Sequence, residues 1–330
     1  MTGQDLLAET VERLLNATPP GEDPWVDLAA GGFAWVSVPE SAGGSGGDLR
    51  DAASVLRVAG RHATSAPIAE TMLGGRLLAG AGLKVSGGSL AVVPGPGLAV
   101  VDGRLTGSAV VAWAAEADQV LAVVDLDGSP VLAAARPEQL GIERRLNMAD
   151  EPRDDVRFDV ALSELVTAPL PDGAADDLQR DGCLTRVVLA AGALQAISEM
   201  TIDYTSQRRQ FGRPIATFQA VQHHLVAVAQ SAVRASMAAE TAVRTVQGGG
   251  GAWEVAAARV IVDEATIEGT RAAHQAHGAM GVTREYGLQR YTRLLWAWRH
   301  EYRQAREWRR WLGSEVASSG ADALWPRITR

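Results

Sequence analysis

The stretch "YTSQRRQFGRPIATFQAVQHH", Tyr204 to His224, gathers Arg208, Arg209, Gln210, Phe211, Arg213, Gln219 and Gln222 around a break between two helical patterns. Gly212 and Pro214 alone would break a helix. The other residues bring chemistry that a turn does not need. Guanidinium groups are forked cationic donors suited to phosphate or carboxylate, amides give directional hydrogen bonds, and Phe211 adds an apolar ring. Metal and thiol chemistry find little support elsewhere. The single cysteine, Cys183, excludes an internal disulfide and a cysteine zinc cluster. The six histidines show no HExxH-type spacing, and the adjacent His223 and His224 point in different directions on a helix.

These residues lie in a chain of 330 residues, long enough for two or three domains. With 47% hydrophobic and 21% charged residues the composition is that of an ordinary globular protein. A net charge of -8 argues against nucleic-acid and anionic-membrane partners. The N-terminal "MTGQDLLAETVERLLNA" reads as an amphipathic helix without an apolar signal core. No window approaches the roughly 20 apolar residues of a membrane span. The expectation is a cytoplasmic protein.

Three regions must position the opening stretch. Residues 1–85 read as a helical domain, interrupted by the Gly-rich turn "PESAGGSGG", which is either a phosphate cradle or, as favoured here, a plain connector. Residues 86–171 read as a small antiparallel β domain, a sheet or a barrel. Its runs "SLAVVPG", "LAVVDG", "AVVAWA", "QVLAVVD" and "PVLAAA" are short, rich in valine and leave no room for helical crossovers. Residues 172–330 read as four long helices, a bundle in which "GLQRYTRLLWAWRHEYRQAREWRRWLG" is the last. The fold class is therefore α+β and multidomain.

The segment Tyr204-x3-Arg208-x-Gln210-Phe211-Gly212-Arg213-Pro214-Ile215-x2-Phe218-Gln219 resembles "YxxxRxQFGxPIxxFQ" of the acyl-CoA dehydrogenase family. "HQAHGAMGVTREYGLQRYTR", His274 to Arg293, is similar to that family's "QxxGGxGy" block, and "VPESAGGSGG" to its "PExxGGxG" turn. "APIAETMLGGRLLAGAGL" resembles a short bacterial subgroup. The resemblance implies the same order of helical, β and helical domains, and FAD as cofactor. It assigns Arg208, Gln210 and Phe211 to the FAD pyrophosphate region, Gln219 and Gln222 to the adenosine half, and Gln275, Gly278 and Gly281 to a facing pyrophosphate loop. In the family this segment reaches FAD held mainly by a neighbouring subunit, which implies a dimer or tetramer. An electron-transfer flavoprotein is the implied electron acceptor.

The family reaction removes an α-proton from an acyl-CoA thioester while a β-hydride passes to flavin N5, giving a trans-2-enoyl-CoA. Its base is a desolvated carboxylate. The usual position of that Glu reads Tyr302 here, in "WRHEYRQ", with Glu301 one residue earlier. Glu301 is the candidate base, or else a solvated residue forming helical charge pairs with its Arg neighbours. The alternative position on the preceding helix falls on Gly182 or Thr185, neither a carboxylate, and Asp181 is only nearby. Arg186 either reaches substrate or makes a structural pair. Glu285 is expected to cap the next helix. The usual "MRD" aspartate and the "TEPxxGSD" stretch are missing. Trp113 is either a neighbour of the isoalloxazine ring or a core residue. Three functions follow: an acyl-CoA dehydrogenase, alone or as one subunit of a heteromer whose partner carries the base; a related flavin monooxygenase or oxidase; and a binding protein that has lost its flavin.

Overall fold

The computed structural model describes residues 3–19 and 22–329. Met1 and Thr2, part of the N-terminal amphipathic pattern, lie outside the described residues, as do Pro20, Gly21 and Arg330. The chain divides into two compact units, residues 1–185 and 186–330.

The first unit opens with α1 (Gly3–Ala17), α2 (Trp25–Ala30), α3 (Leu49–Arg61) and α4 (Ile68–Gly80). Local chemistry starts α3: the Asp48 side chain accepts from the backbone N–H groups of Arg50 and Asp51, and Asp51 accepts in return from the Asp48 N–H. The helix then buries Val55, Leu56 and Val58. The Gly-rich turn before it packs on its own backbone. A Cβ at Gly44 would stand 2.2 Å from the Val38 carbonyl oxygen, so a connector's steric need accounts for that glycine.

Eight strands follow: β1 (Leu90–Val92), β2 (Leu98–Val101), β3 (Arg104–Ala112), β4 (Gln119–Leu126), β5 (Ser129–Ala135), β6 (Gly141–Glu143), β7 (Arg153–Ala161) and β8 (Val166–Pro169). They form two open four-stranded sheets, ordered β1-β4-β5-β8 and β2-β3-β7-β6. Leu105, Val111, Val120, Ala122, Val156 and Phe158 fill one core shared by both sheets. The domain is antiparallel as expected, with one exception, and it is not a closed barrel. Strand β1 pairs in parallel with β4, Leu90 opposite Gln119. A parallel pair needs a long crossover, and here the β2–β3 hairpin in the other sheet supplies it in place of a helix. Strand β7 was not foreseen because Arg153, Asp155, Arg157 and Asp159 dilute its apolar content. Its alternation of Val156, Phe158 and Val160 inward is nevertheless that of a half-buried strand.

Helix α5 (Ala174–Gln207) begins in the first unit and continues into the second. After it come a two-stranded ribbon, β9 (Arg209–Gln210) and β10 (Arg213–Pro214), then α6 (Gln219–Gln247), α7 (Ala252–His277), α8 (Leu288–Trp298), α9 (Ala305–Ser319) and α10 (Ala321–Ile328). On α6 the residues Val228, Ala232, Ala235 and Ala239 step by three or four along one buried face. The expected last long helix is in fact two. The chain breaks between Trp298 and Ala305, and Tyr302 takes a left-handed backbone, φ 53°. One described helix also departs from the membrane expectation: an 18-residue window of α5 reaches a mean hydropathy of 1.2. Because 83% of that window is buried inside the protein, its apolarity is that of a core helix.

Candidate flavin site

The arginine stretch becomes an exposed ribbon. The last turn of α5 passes into it through the Arg208 N–H, which donates to the Tyr204 carbonyl at 2.8 Å, and the Ile215 N–H closes it on the Arg208 carbonyl at 2.8 Å. Arg213 pairs with Gln210 and Pro214 with Arg209 across the two strands. Phe211 at the tip is 93% exposed and has φ 53°. A bulky residue held both in solvent and in the left-handed region is strained, and neither feature is explained by core packing. The Arg209 guanidinium donates to the Gly212 carbonyl, and that of Arg213 lies over the Phe218 ring at 4.2 Å. Arg208 is exposed, and its guanidinium has no partner among the described residues. Gln210, and Gln219 and Gln222 on the first turn of α6, are exposed too. The donor set thus consists of a free guanidinium, three exposed amides and an uncovered aromatic ring. It fits the pyrophosphate and adenosine of a dinucleotide.

Gln275 is exposed on the last turn of α7, and Gly278 follows the helix end with φ 58°. Gly281 is buried in the next turn, where a Cβ would meet the His277 Cβ at 3.0 Å and the Leu288 Cδ2 at 3.1 Å. Between these segments lies a cluster of rings that sequence reasoning did not single out. Tyr204 and His277 stack with centroids 4.5 Å apart, and Tyr286 meets Tyr204 at 5.2 Å and His277 at 4.8 Å. The His277 Nδ1–H donates to the Ala273 carbonyl at 2.8 Å, and the Tyr286 hydroxyl donates to the Met200 carbonyl at 3.1 Å. His274 Nε2 lies 3.1 Å from the Thr292 hydroxyl. Glu285 does not cap α8: its N-cap is Gly287, with no side-chain cap bond.

Burial holds both His274 and His277 below the ordinary histidine pKa. The folded chain therefore binds these protons less readily than the unfolded one. The stability this confers is present above about pH 6.5 and is lost as pH falls toward the lower folded values. The urea midpoint is expected to hold between about pH 7 and 8 and to decline below about pH 6.5. Replacement of His277 by phenylalanine should flatten that decline, and a midpoint that rises on acidification to about pH 5.5 would contradict the assignment.

The candidate base sits elsewhere in the second unit, in the break after α8. Glu301 accepts from Arg186 Nε at 2.5 Å, with side-chain exposures of 16% and 3%. The Arg186 guanidinium also stands 5.4 Å from the Tyr302 ring centre. The break is held from α7 as well. Buried Arg259 donates through Nη2 to the carbonyls of Trp298 and Arg299, each at 2.9 Å, and of Glu301 at 3.3 Å. Those bonds satisfy acceptors that the end of α8 leaves without helical partners. Arg299 pairs with Asp263 at 2.6 Å. Glu301 is thus an ion-paired residue of a fixed turn, neither solvated nor free. In the first unit, Thr185 donates to the Gly182 carbonyl at 2.7 Å, and Asp181 pairs with Arg76 and Arg180. Trp113 is 7% exposed with φ 60°, in the turn after β3. Among the described residues no His, Cys, Asp and Glu group could hold a metal ion.

The family model described as "Acyl-CoA dehydrogenase, C-terminal domain" matches residues 182–297. Acyl-CoA dehydrogenase IpdE2 of Mycobacterium tuberculosis is 30% identical over 302 residues, covering 87% of this chain and 84% of that protein. Two solved structures share the fold. The ChsE4–ChsE5 complex of Mycobacterium tuberculosis matches with a TM-score of 0.81 at 21% identity, covering 97% of this chain and 99% of that one. The Tcur3481–Tcur3483 steroid ACAD, G363A variant, matches with a TM-score of 0.85 at 22% identity, covering 96% and 98%.

Proposed function

The chain belongs to the acyl-CoA dehydrogenase family, and we propose that it is one subunit of an FAD-dependent enzyme that converts an acyl-CoA thioester to its trans-2-enoyl-CoA. The observation that carries this reading is the exposed ribbon, on which Arg208 has no partner among the described residues and Phe211 is held in a strained, solvent-facing conformation. When bound, FAD supplies the hydride acceptor. Arg208 and Gln210 would hold its pyrophosphate, Phe211 would supply an apolar wall beside it, and Gln219 and Gln222 would face the adenosine. Gln275 and the turn from Gly278 to Gly281 would close the same group from α7. An electron-transfer flavoprotein is the proposed electron acceptor.

The geometry favours a shared enzyme in which a second, related subunit carries the base. Proton abstraction next to a thioester needs a desolvated carboxylate free to take the proton. Glu301 is desolvated, but it is committed to Arg186 at 2.5 Å, and a paired guanidinium stabilises the charged, unprotonated form. That a chain of similar fold was solved within the ChsE4–ChsE5 complex supports the same reading. Burial alone favours the second reading, with Glu301 as the base of an enzyme complete in itself.

Glu301→Gln separates them. In the flavin-loaded enzyme, assayed with a panel of acyl-CoAs that includes a steroid-type CoA thioester, turnover is expected to stay within about threefold of the wild type. Loss of general-base catalysis would cost on the order of 10²–10⁴-fold, and a loss of that size would return the base to Glu301. Oxygen uptake without an added electron acceptor would instead favour an oxidase.

A further inference from the structure

We propose that the Tyr204–His277–Tyr286 ring cluster is a positioning element that sets the arginine ribbon and the glycine turn at one fixed separation, so that both can engage a single dinucleotide pyrophosphate. This inference rests on the FAD reading above and adds to it residues that touch no cofactor themselves.

Each ring stands at the root of a different segment. Tyr204 is one helical turn before Arg208, and its carbonyl anchors the Arg208 N–H. His277 is the last residue of α7, directly before Gly278. Tyr286 lies in the loop that leads from the glycine turn to α8, and its hydroxyl is bound to the Met200 carbonyl, one turn before Tyr204 on α5. The stacked pair therefore couples the end of α5 to the end of α7, and Tyr286 couples the loop to both. His274, one turn before His277, reaches α8 through the Thr292 hydroxyl.

Beyond these roots the two segments are open. The ribbon closes on itself through local bonds among residues 208–215. A Cβ at Gly278 would meet nothing within 4 Å. Two exposed segments bind one rigid ligand well only when their separation is set beforehand, since ordering them on binding subtracts from affinity. Ring pairs of this kind supply direction as well as area. The close packing of Gly281 on the His277 Cβ extends the same control into the turn.

The test is FAD affinity of the deflavinated oligomer, read from the change in flavin fluorescence on binding, for wild type, His277→Ala, His277→Phe and Tyr286→Phe. The helical signal in circular dichroism is recorded on each sample. His277→Ala is expected to weaken FAD about tenfold, the equivalent of losing two ring contacts. His277→Phe is expected to recover wild-type affinity to within about threefold, because the stack survives without the imidazole. The effect of His277→Ala is also expected to shrink to less than about twofold in an Arg208→Ala background, since a positioning residue acts through the group that it positions. A purely structural role would leave that effect undiminished and would overturn the proposal.

Wild-type affinity in His277→Ala would overturn it while leaving the FAD reading intact. If no form binds FAD, the FAD reading fails and this inference falls with it. If His277→Ala does not fold, Tyr286→Phe decides, because it removes only the bond to the Met200 carbonyl. A loss of about threefold in FAD affinity supports the proposal, and no change contradicts it.

Discussion

Replacing Arg186 with methionine is expected to destabilise the protein by about 3–5 kcal/mol, a large fraction of a typical domain's stability. The pair that Arg186 makes with Glu301 is mostly out of water, at 3% and 16% side-chain exposure. Methionine keeps much of the apolar stem but removes the guanidinium that faces the carboxylate. The cost is then mainly the desolvation of a carboxylate that has lost its guanidinium. Two further observations localise the damage. Arg259 would still hold the carbonyls of Trp298, Arg299 and Glu301, and Arg299 would still hold Asp263, so the turn persists while its charge balance is lost. Removing both charges should therefore be far milder than removing one. The double variant Arg186→Met with Glu301→Leu is expected to recover most of the loss. Urea unfolding followed by tryptophan fluorescence checks both, and a single-variant loss under about 1 kcal/mol would show that the pair is solvated.

The second large effect concerns Arg208. Changing it to alanine is expected to weaken FAD by roughly 30-fold or more, because a forked cation facing the pyrophosphate is lost. The same change should leave the unfolding midpoint where it was. The side chain is exposed and has no partner among the described residues, so folding loses nothing with it. Arg208→Lys should restore only part of the affinity, since lysine brings the charge without the forked geometry. The diagnostic pattern is thus lost flavin at unchanged stability. Equal flavin content in wild type and Arg208→Ala would remove the ribbon from the cofactor site.

The residues proposed to hold the cofactor are legible in the sequence because they are neighbours. Arg208 to Gln222 lie in one stretch, and glycine and proline made the break between α5 and α6 readable. The ion pair that holds the break after α8 was not. Arg186 and Glu301 are 115 residues apart, and nothing in either neighbourhood announces the other. The break after Trp298 was hidden for a related reason. The Trp- and Arg-rich periodicity of α8 runs on into α9 with no glycine or proline between, and what ends α8 is held from a distance by Arg259 and Asp263. In the β domain, β7 was missed because its charged outward face diluted the run. The parallel β1–β4 pair was missed because its crossover is a hairpin in another sheet. Tyr204 and His277 both stood inside recognised motifs, yet their contact depends on how α5 and α7 end side by side.

The most direct test of the central claim is to tag this chain in the cells that make it, recover it gently, and record the visible spectrum, subunit composition and molar mass of the same sample. The expected result is an oxidised-flavin spectrum in a complex that also contains a second acyl-CoA dehydrogenase-like chain, with flavin lost from the Arg208→Ala version. A homo-oligomer carrying one FAD per chain would contradict the shared arrangement. A recovered protein with no flavin in any fraction would contradict the cofactor assignment itself.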